Sequence, residues 1–261
     1  MNALVWRVRA GDGAVFVAKA APSPLLPGLR VAACLEQQGF RAGGPLPQPS
    51  EAITTPWQKG ELALLRFLEG RPLSADVPGD LRLLGRTLGR VHSLTGGCLE
   101  LDGLGRWPWL WFGWIEHVRA KSLRAAIRPA IAEADGLVSA GGLTIGILHG
   151  DPHQAAFRVD ERGGVGLLDW DSAVAGPLLY DVASVAMYGG VSPTDPETAL
   201  LRGYLEEAPT DVAELRHAKG SCACASRFRP CTSAGVRRRA SRRVAKRTGA
   251  TGRVSRTRSA G

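Results

Sequence analysis

Residues 143–190 read LTIGILHGDPHQAAFRVDERGGVGLLDWDSAVAGPLLYDVASVAMYGG. Two short apolar strands surround the Arg162-Gly163-Gly164 turn, polar residues stand at the strand edges, and a helix is expected from about Pro177. His149-Gly150-Asp151 lies at one end of this unit. Asp169 follows 18 residues after Asp151, inside Leu167-Leu168-Asp169-Trp170-Asp171. Two aspartates on loops flanking a hairpin can face each other across a cleft. Taken alone, His-Gly-Asp reads equally as an ordinary strand-to-turn aspartate, so its meaning depends on the rest of the chain.

Upstream, residues 3–20 read as a hairpin: LVWRVRA alternates, GDG turns, and AVFVAKA alternates again, with Lys19 in the second strand. Residues 29–39 read as a short helix ended by Gly39, and Glu61–Leu68 as a buried strand broken by EGRPL. From Asp80 to Leu94 the period becomes helical, with Leu81, Leu84, Leu88 and Val91 in one stripe. Trp107–Trp114 holds four tryptophans, read as a helix packed on the core in preference to an aromatic substrate wall, and residues 115–138 look helical. Strand-rich text before helix-rich text predicts an α+β fold with a small β-rich lobe and a mostly helical one.

Phosphoryl transfer asks little covalent chemistry of a protein. It needs one carboxylate to take the attacking hydroxyl's proton, another to hold Mg²⁺ against the phosphates, and a cation for the phosphates themselves. Asp151, Asp169 and Lys19 are residues of those types, in a plausible order.

Here the residues resemble a known family. HGDPHQAAF is similar to the H-G-D-x-x-x-x-N catalytic loop of aminoglycoside phosphotransferases and choline kinases. LLDWD resembles their metal loop, GPLLYDVAS the segment after it, LGRTLGRVHSL a helix ending in histidine, and LLRFLEGRPL the hinge between lobes. The resemblance runs from about residue 2 to 215. It implies a two-lobed protein-kinase-like fold, with a nucleotide-binding lobe over residues 1–69 that looks shortened at its start and a catalytic lobe over residues 70–218. It implies Asp151 as catalytic base, Asp169 as Mg²⁺ ligand, and Lys19 on the α- and β-phosphates of ATP. The backbone around Leu65 to Leu68, with Leu65 and Phe67 singled out, would meet the adenine. Asp181 would brace the catalytic loop through its amides, and His149 would pack inside that loop.

The sequence also departs from the pattern. The motif's asparagine, five residues after the catalytic aspartate, is Ala156. Gln154 or Asp171 are the candidates to share the metal in its stead. No glutamate stands early in the 29–39 helix to pair with Lys19, and Glu36 reads as a solvated side chain. Three readings stay open: an ATP-dependent kinase acting on a hydroxyl of a small polar metabolite or antibiotic, a binding-only pseudokinase, and a protein that associates with nucleic acid through its tail.

The charge balance argues against the third for the body of the chain. The net charge is +9, yet residues 219–261 carry 13 Lys and Arg and no acid, leaving 20 basic against 24 acidic residues elsewhere. The tail has one aromatic, Phe228, and so no stacking platform; its composition is that of a GC-rich gene read out of frame. No apolar run approaches a membrane span and no signal peptide is read, which makes the cytoplasm the expected location. Cys34 and Cys98 read as buried small apolar residues, and Cys222, Cys224 and Cys231 form only a weak metal pattern. The tail's small apolar residues bury too little to offset roughly 1–2 kcal/mol of backbone entropy per residue. Limited trypsin digestion is expected to remove the chain beyond about Lys219 first and to leave a resistant core. A tail as resistant as the body would overturn this reading.

Overall fold

The computed structural model describes residues 3–22, 24–48, 52–98, 103–106 and 121–218. The expectations for Trp107–Trp114 and for the tail from residue 219, with its three cysteines, lie outside these residues, as does the start of the helix expected over 115–138. Strands β1 (Leu4–Arg9) and β2 (Val15–Ala21) form the expected hairpin, in register with Val5 opposite Lys19. Its turn closes where the Asp12 carboxylate accepts the Ala14 N–H at 2.9 Å, with Gly13 at φ 89°. β3 (Thr55–Trp57) and β4 (Gly60–Arg66) complete an antiparallel sheet in the order β1-β2-β4-β3, which places Lys19 opposite Ala63.

The 61–68 segment is less buried than its composition predicts. Ala63 and Leu65 face the core while Leu64 stays 38% exposed, because the opposite face of the sheet has no layer over it among the described residues. Helix α1 spans Leu26–Gln37, three residues earlier than expected. Proline is tolerated in a first helical turn, where its missing N–H costs nothing. The Glu61 carboxylate of β4 accepts the Leu25 and Leu26 N–H groups at 2.7 and 3.3 Å, so the donors at this helix start are met by a strand residue distant in sequence.

Glu36 is not the solvated side chain expected. It is 17% exposed, pairs with Arg66 Nε at 2.8 Å, and accepts the Gly44 N–H at 2.8 Å. Cys34 and Cys98 are not separate apolar residues but a disulfide with Cα atoms 6.2 Å apart. They are 64 residues apart in sequence, and only the packing of α1 against the turn after the next long helix brings them together.

That helix, α2 (Asp80–Thr95), follows the two-residue strand β5 (Arg71–Pro72). Its first residue, Asp80, is buried. It accepts two bonds from the Arg71 guanidinium, at 2.6 and 2.9 Å, and one from the Ser74 N–H. The Arg71 hydrogen bond outweighs burial and holds the Asp80 carboxyl below the usual range. Leu84, Leu88 and Val91 sink into the main core, and Leu81 is partly buried beside it. β6 (Gly105–Arg106), α3 (Lys121–Ser139), β7 (Ile145–Leu148), β8 (Phe157–Val159), β9 (Val165–Leu167), β10 (Val174–Pro177), α4 (Leu179–Gly189) and α5 (Ala199–Leu205) follow. β5-β8-β9 and β6-β10-β7 form two small sheets. Among the described residues no helix is long and apolar enough to cross a membrane.

α5 leaves no periodic signature in seven residues, yet it packs tightly on α2. Gly85 and Gly89 of α2 and Gly203 of α5 allow the backbones to meet. A Cβ on Gly85 would stand 1.9 Å from the Leu200 carbonyl oxygen, and one on Gly203 2.2 Å from that of Arg82. Gly85→Val is therefore expected to lower stability by roughly 1–3 kcal/mol or more through overpacking against backbone that cannot yield. Urea denaturation would measure it, and an unchanged midpoint would disprove this account of the contact.

Candidate active site

The catalytic-type loop leaves β7 at His149 and is held from below by α4. Asp181, fully buried in the first turn of α4, accepts the His149 N–H at 2.6 Å and the Gly150 N–H at 3.0 Å. Its charge is shared further. His92, buried near the end of α2, lies 3.3 Å from the Asp181 carboxylate through Nε2, and its Nδ1 lies 3.0 Å from the Tyr204 hydroxyl, itself 2.9 Å from that of Thr210. One consistent assignment of protons has Thr210 donating to Tyr204, Tyr204 to His92, and His92 to Asp181. Burial pushes the Tyr204 phenol far above its ordinary range, so it remains a donor at any working pH.

The His149 ring is also buried. Burial outweighs the neighbouring carboxylates and lowers its pKa, so it is neutral. Nε2–H donates to the Leu168 carbonyl at 2.8 Å, and Nδ1 accepts the Asp151 N–H at 3.4 Å. The ring thus ties the 149–151 loop to the strand end carrying Asp169. Gly150, at φ 83°, makes the same join by close approach: a Cβ there would lie 2.1 Å from the Ser172 carbonyl oxygen. Only glycine fits both the angle and the space.

Asp169 adopts the left-handed conformation, φ 70° and ψ 61°, one of two non-glycine residues at positive φ among those described. Aspartate tolerates this better than most residues. Lys19 reaches it from β2, with Nζ 2.5 Å from Asp169 Oδ1 and 2.7 Å from Asp171 Oδ1. Lys19 therefore has two carboxylate partners from the loop after β9, and the glutamate sought in α1 is not needed to compensate its charge. Burial lowers the Lys19 pKa, but the two aspartates outweigh it and leave it raised. Burial lifts the Asp169 carboxyl, yet the Lys19 charge and hydrogen bond bring it below its ordinary value. Asp171 ends above its ordinary value, because burial and the adjacent Asp169 charge outweigh the same lysine.

α1 fixes this loop from the side. A Cβ on Gly28 would meet the Trp170 carbonyl oxygen at 2.1 Å, and Trp170 Nε1–H donates to the Ala42 and Leu167 carbonyls. Gln154, one of the candidates to share a metal, is committed elsewhere. Its Oε1 accepts the Ala75 N–H at 3.2 Å and its Nε2 donates to the Tyr188 carbonyl at 3.0 Å. Ala156 is buried and presents only a methyl group. Leu65 lies in β4 opposite Val17, while Phe67, just past the strand, carries the Arg7 guanidinium 4.8 Å over its ring. No sequence pattern pointed to Tyr188, whose hydroxyl donates to Asp151 Oδ1 at 2.6 Å.

A cation held between two carboxylates, with a third carboxylate on an adjoining loop, supplies the residue types that phosphoryl transfer asks for. The sequence from residue 2 to 216 matches the phosphotransferase enzyme family, and the chain belongs to it. Among relatives, a homoserine kinase of Rhizobium johnstonii is 30% identical over 199 residues, covering 69% of this chain and 60% of that one. The chain thus spans about three-fifths of the length of the curated relatives it matches. An ethanolamine kinase of Plasmodium vivax has a similar fold, with a TM-score of 0.59 at 15% identity, over 86% of this chain and 71% of that one. So does an aminoglycoside phosphotransferase of Streptomyces rimosus solved with ADP and streptomycin, with a TM-score of 0.54 at 15% identity, over 85% and 92%.

The charges make stability depend on pH in a definite sense. A lowered Asp169 contributes stability above the ordinary carboxylate range, and this is lost as pH falls through its folded value. A raised Lys19 contributes below its unfolded value near 10.4, and this is lost as pH rises through its folded value. Asp171 acts oppositely to Asp169, since ionising it in the folded state costs stability that Lys19 offsets. Lys19→Met should therefore destabilise the chain most between about pH 5 and 9, with the difference from wild type shrinking below pH 4 as the carboxylates protonate. Thermal melts across that range check this; a difference independent of pH would show that packing, not charge, is lost.

Proposed function

We propose that the chain is a small-molecule kinase that transfers the γ-phosphoryl group of ATP to a hydroxyl of a small polar acceptor. The observation that carries this reading is the bridge from Lys19 to Asp169 and Asp171, set beside the loop that holds Asp151. In this reading residues 1–69 form the nucleotide-binding lobe and residues 70–218 the catalytic lobe, with the Leu65–Phe67 backbone against the adenine and a cytoplasmic location.

The donor set suits Mg²⁺. Asp169 and Asp171 offer hard carboxylate oxygens, and Mg²⁺ commonly takes one or two carboxylates and leaves its other positions to phosphates and water. When bound, Mg²⁺ neutralises charge on the phosphate oxygens. The protein's own work is then positional. Lys19 brings a buried ammonium to the phosphates without having to be ordered first. Asp151 accepts the acceptor's hydroxyl proton as the oxygen attacks. Asp181 and His149 hold the Asp151 backbone still, so that the carboxylate meets the acceptor at hydrogen-bond range.

A binding-only role is the second reading, favoured by one observation: Ala156 brings a buried methyl group to the place where the motif has asparagine. Direct measurement separates the two. Phosphorylation of L-homoserine, ethanolamine and streptomycin by Mg·ATP would be followed for wild type, Asp151→Asn and Asp169→Asn. Asp151→Asn is expected to cut turnover roughly 100- to 10,000-fold with nucleotide affinity unchanged. Asp169→Asn is expected to weaken Mg·ATP binding. Nucleotide binding without turnover on any acceptor or on water would favour the binding-only reading, and identical binding by both variants would refute the division of roles.

A further inference from the structure

We propose that Tyr188 is a positioning residue for Asp151, fixing the carboxylate from the far end of the helix that also fixes the loop. This rests on the reading of Asp151 as the base and adds to it a residue outside the motif. Asp181 and Tyr188 are seven residues apart in α4, close to two full turns, so both side chains leave the same face of the helix. That face runs under the 149–154 loop. At its first turn Asp181 takes the His149 and Gly150 amides. At its last turn the Tyr188 hydroxyl donates to Asp151 Oδ1 at 2.6 Å.

Tyr188 is itself held on two further sides. Its carbonyl accepts Gln154 Nε2 at 3.0 Å, and Gln154 is anchored through Oε1 to the Ala75 N–H at 3.2 Å. The ring meets the His153 imidazole edge-on, with centroids 6.4 Å apart and planes at 75°. The helix therefore grips the loop twice, at its backbone entry and at its reactive side chain. Gln154 locks the second grip to the chain before α2. An aspartate side chain can adopt several rotamers. A short donor on one carboxylate oxygen favours the one that meets it, and the acceptor's hydroxyl then finds a base already aimed.

The Tyr188 carbonyl bond to Gln154 is made by backbone, and the contact with His153 is made by the ring. Tyr188→Phe keeps both and removes only the hydroxyl, so the fold should stand. The experiment compares wild type, Tyr188→Phe and Asp151→Asn. It measures melting temperature, Kd for Mg·ATP, and kcat and KM for ATP with water and with each of the three acceptors above. Tyr188→Phe is expected to lose roughly 10- to 100-fold in kcat, the scale of one hydrogen bond to a charged group, with Kd and KM for ATP and the melting temperature unchanged. If Tyr188→Phe turns over like wild type while Asp151→Asn is dead, this inference falls and the kinase reading stands. The inference also falls if kcat and the melting temperature drop together, since the hydroxyl would then be structural. A wild type without turnover, or an Asp151→Asn variant as active as wild type, overturns the kinase reading and the inference with it.

Discussion

The fold of the site depends on one buried carboxylate. Asp181 sits at zero exposure and accepts two consecutive loop amides. A buried charge is costly unless it is compensated by hydrogen bonds, and here the compensation comes from the very backbone it must hold. The third donor, His92, extends the arrangement through Tyr204 to Thr210, so residues from α2, α5 and the segment beyond α5 all contribute to one carboxylate. The long-range packing of the helical region is thereby coupled to a loop that, on its own, would have no reason to adopt one conformation.

Lys19 is the complementary element. It comes from the sheet, and its partners come from the loop after β9, so the β2–Asp169–Asp171 bridge joins the N-terminal sheet to the rest of the molecule. Apolar contact alone would permit sliding at this junction. A lysine with two short carboxylate bonds does not, and the direct approach of Gly28 to the Trp170 carbonyl removes the remaining clearance. Strain in the Asp169 backbone is tolerated because a lysine, a tryptophan and a glycine contact all constrain the same three residues.

What was legible in the sequence follows from these interactions. The meeting of Lys19 with the Asp169 loop and of Asp181 with the loop before Asp151 was legible because these residues stand in short patterns whose neighbours also serve: the glycine beside Asp151 for close approach, the tryptophan beside Asp169 for anchoring. The two hairpins and α2 could be read because alternation and helical period are local properties. Tyr188 could not, since its partner is 37 residues away and its surroundings, Ala-Met-Tyr-Gly-Gly, look like any helix end. Glu36 and Glu61 were illegible for the same reason. Each is an ordinary acid whose value lies in a distant N–H group, a loop amide for one and the start of α1 for the other. The Cys34–Cys98 pairing required knowing that α1 and the end of α2 meet, which no spacing encodes. α5 was too short to announce itself by period.

The hairpin of β8 and β9 separates the two acidic loops, and its register pairs Phe157 with Leu167 and Val159 with Val165. Its tip, residues 160–164, is closed by the Asp160 carboxylate on the Arg162 and Gly164 amides, and Arg41 holds its two ends through Asp160 and the Gly164 carbonyl, leaving residues 161–163 exposed. Length is therefore unequally constrained along this stretch. Residues added at the tip lengthen an exposed turn at small entropic cost and leave the acids where they are. A single residue added within either arm turns every following side chain to the opposite face, and the mouth of the hairpin no longer closes on itself. Among homologous chains, insertions should accumulate at positions 161–163 and be purged from the three paired positions on either side.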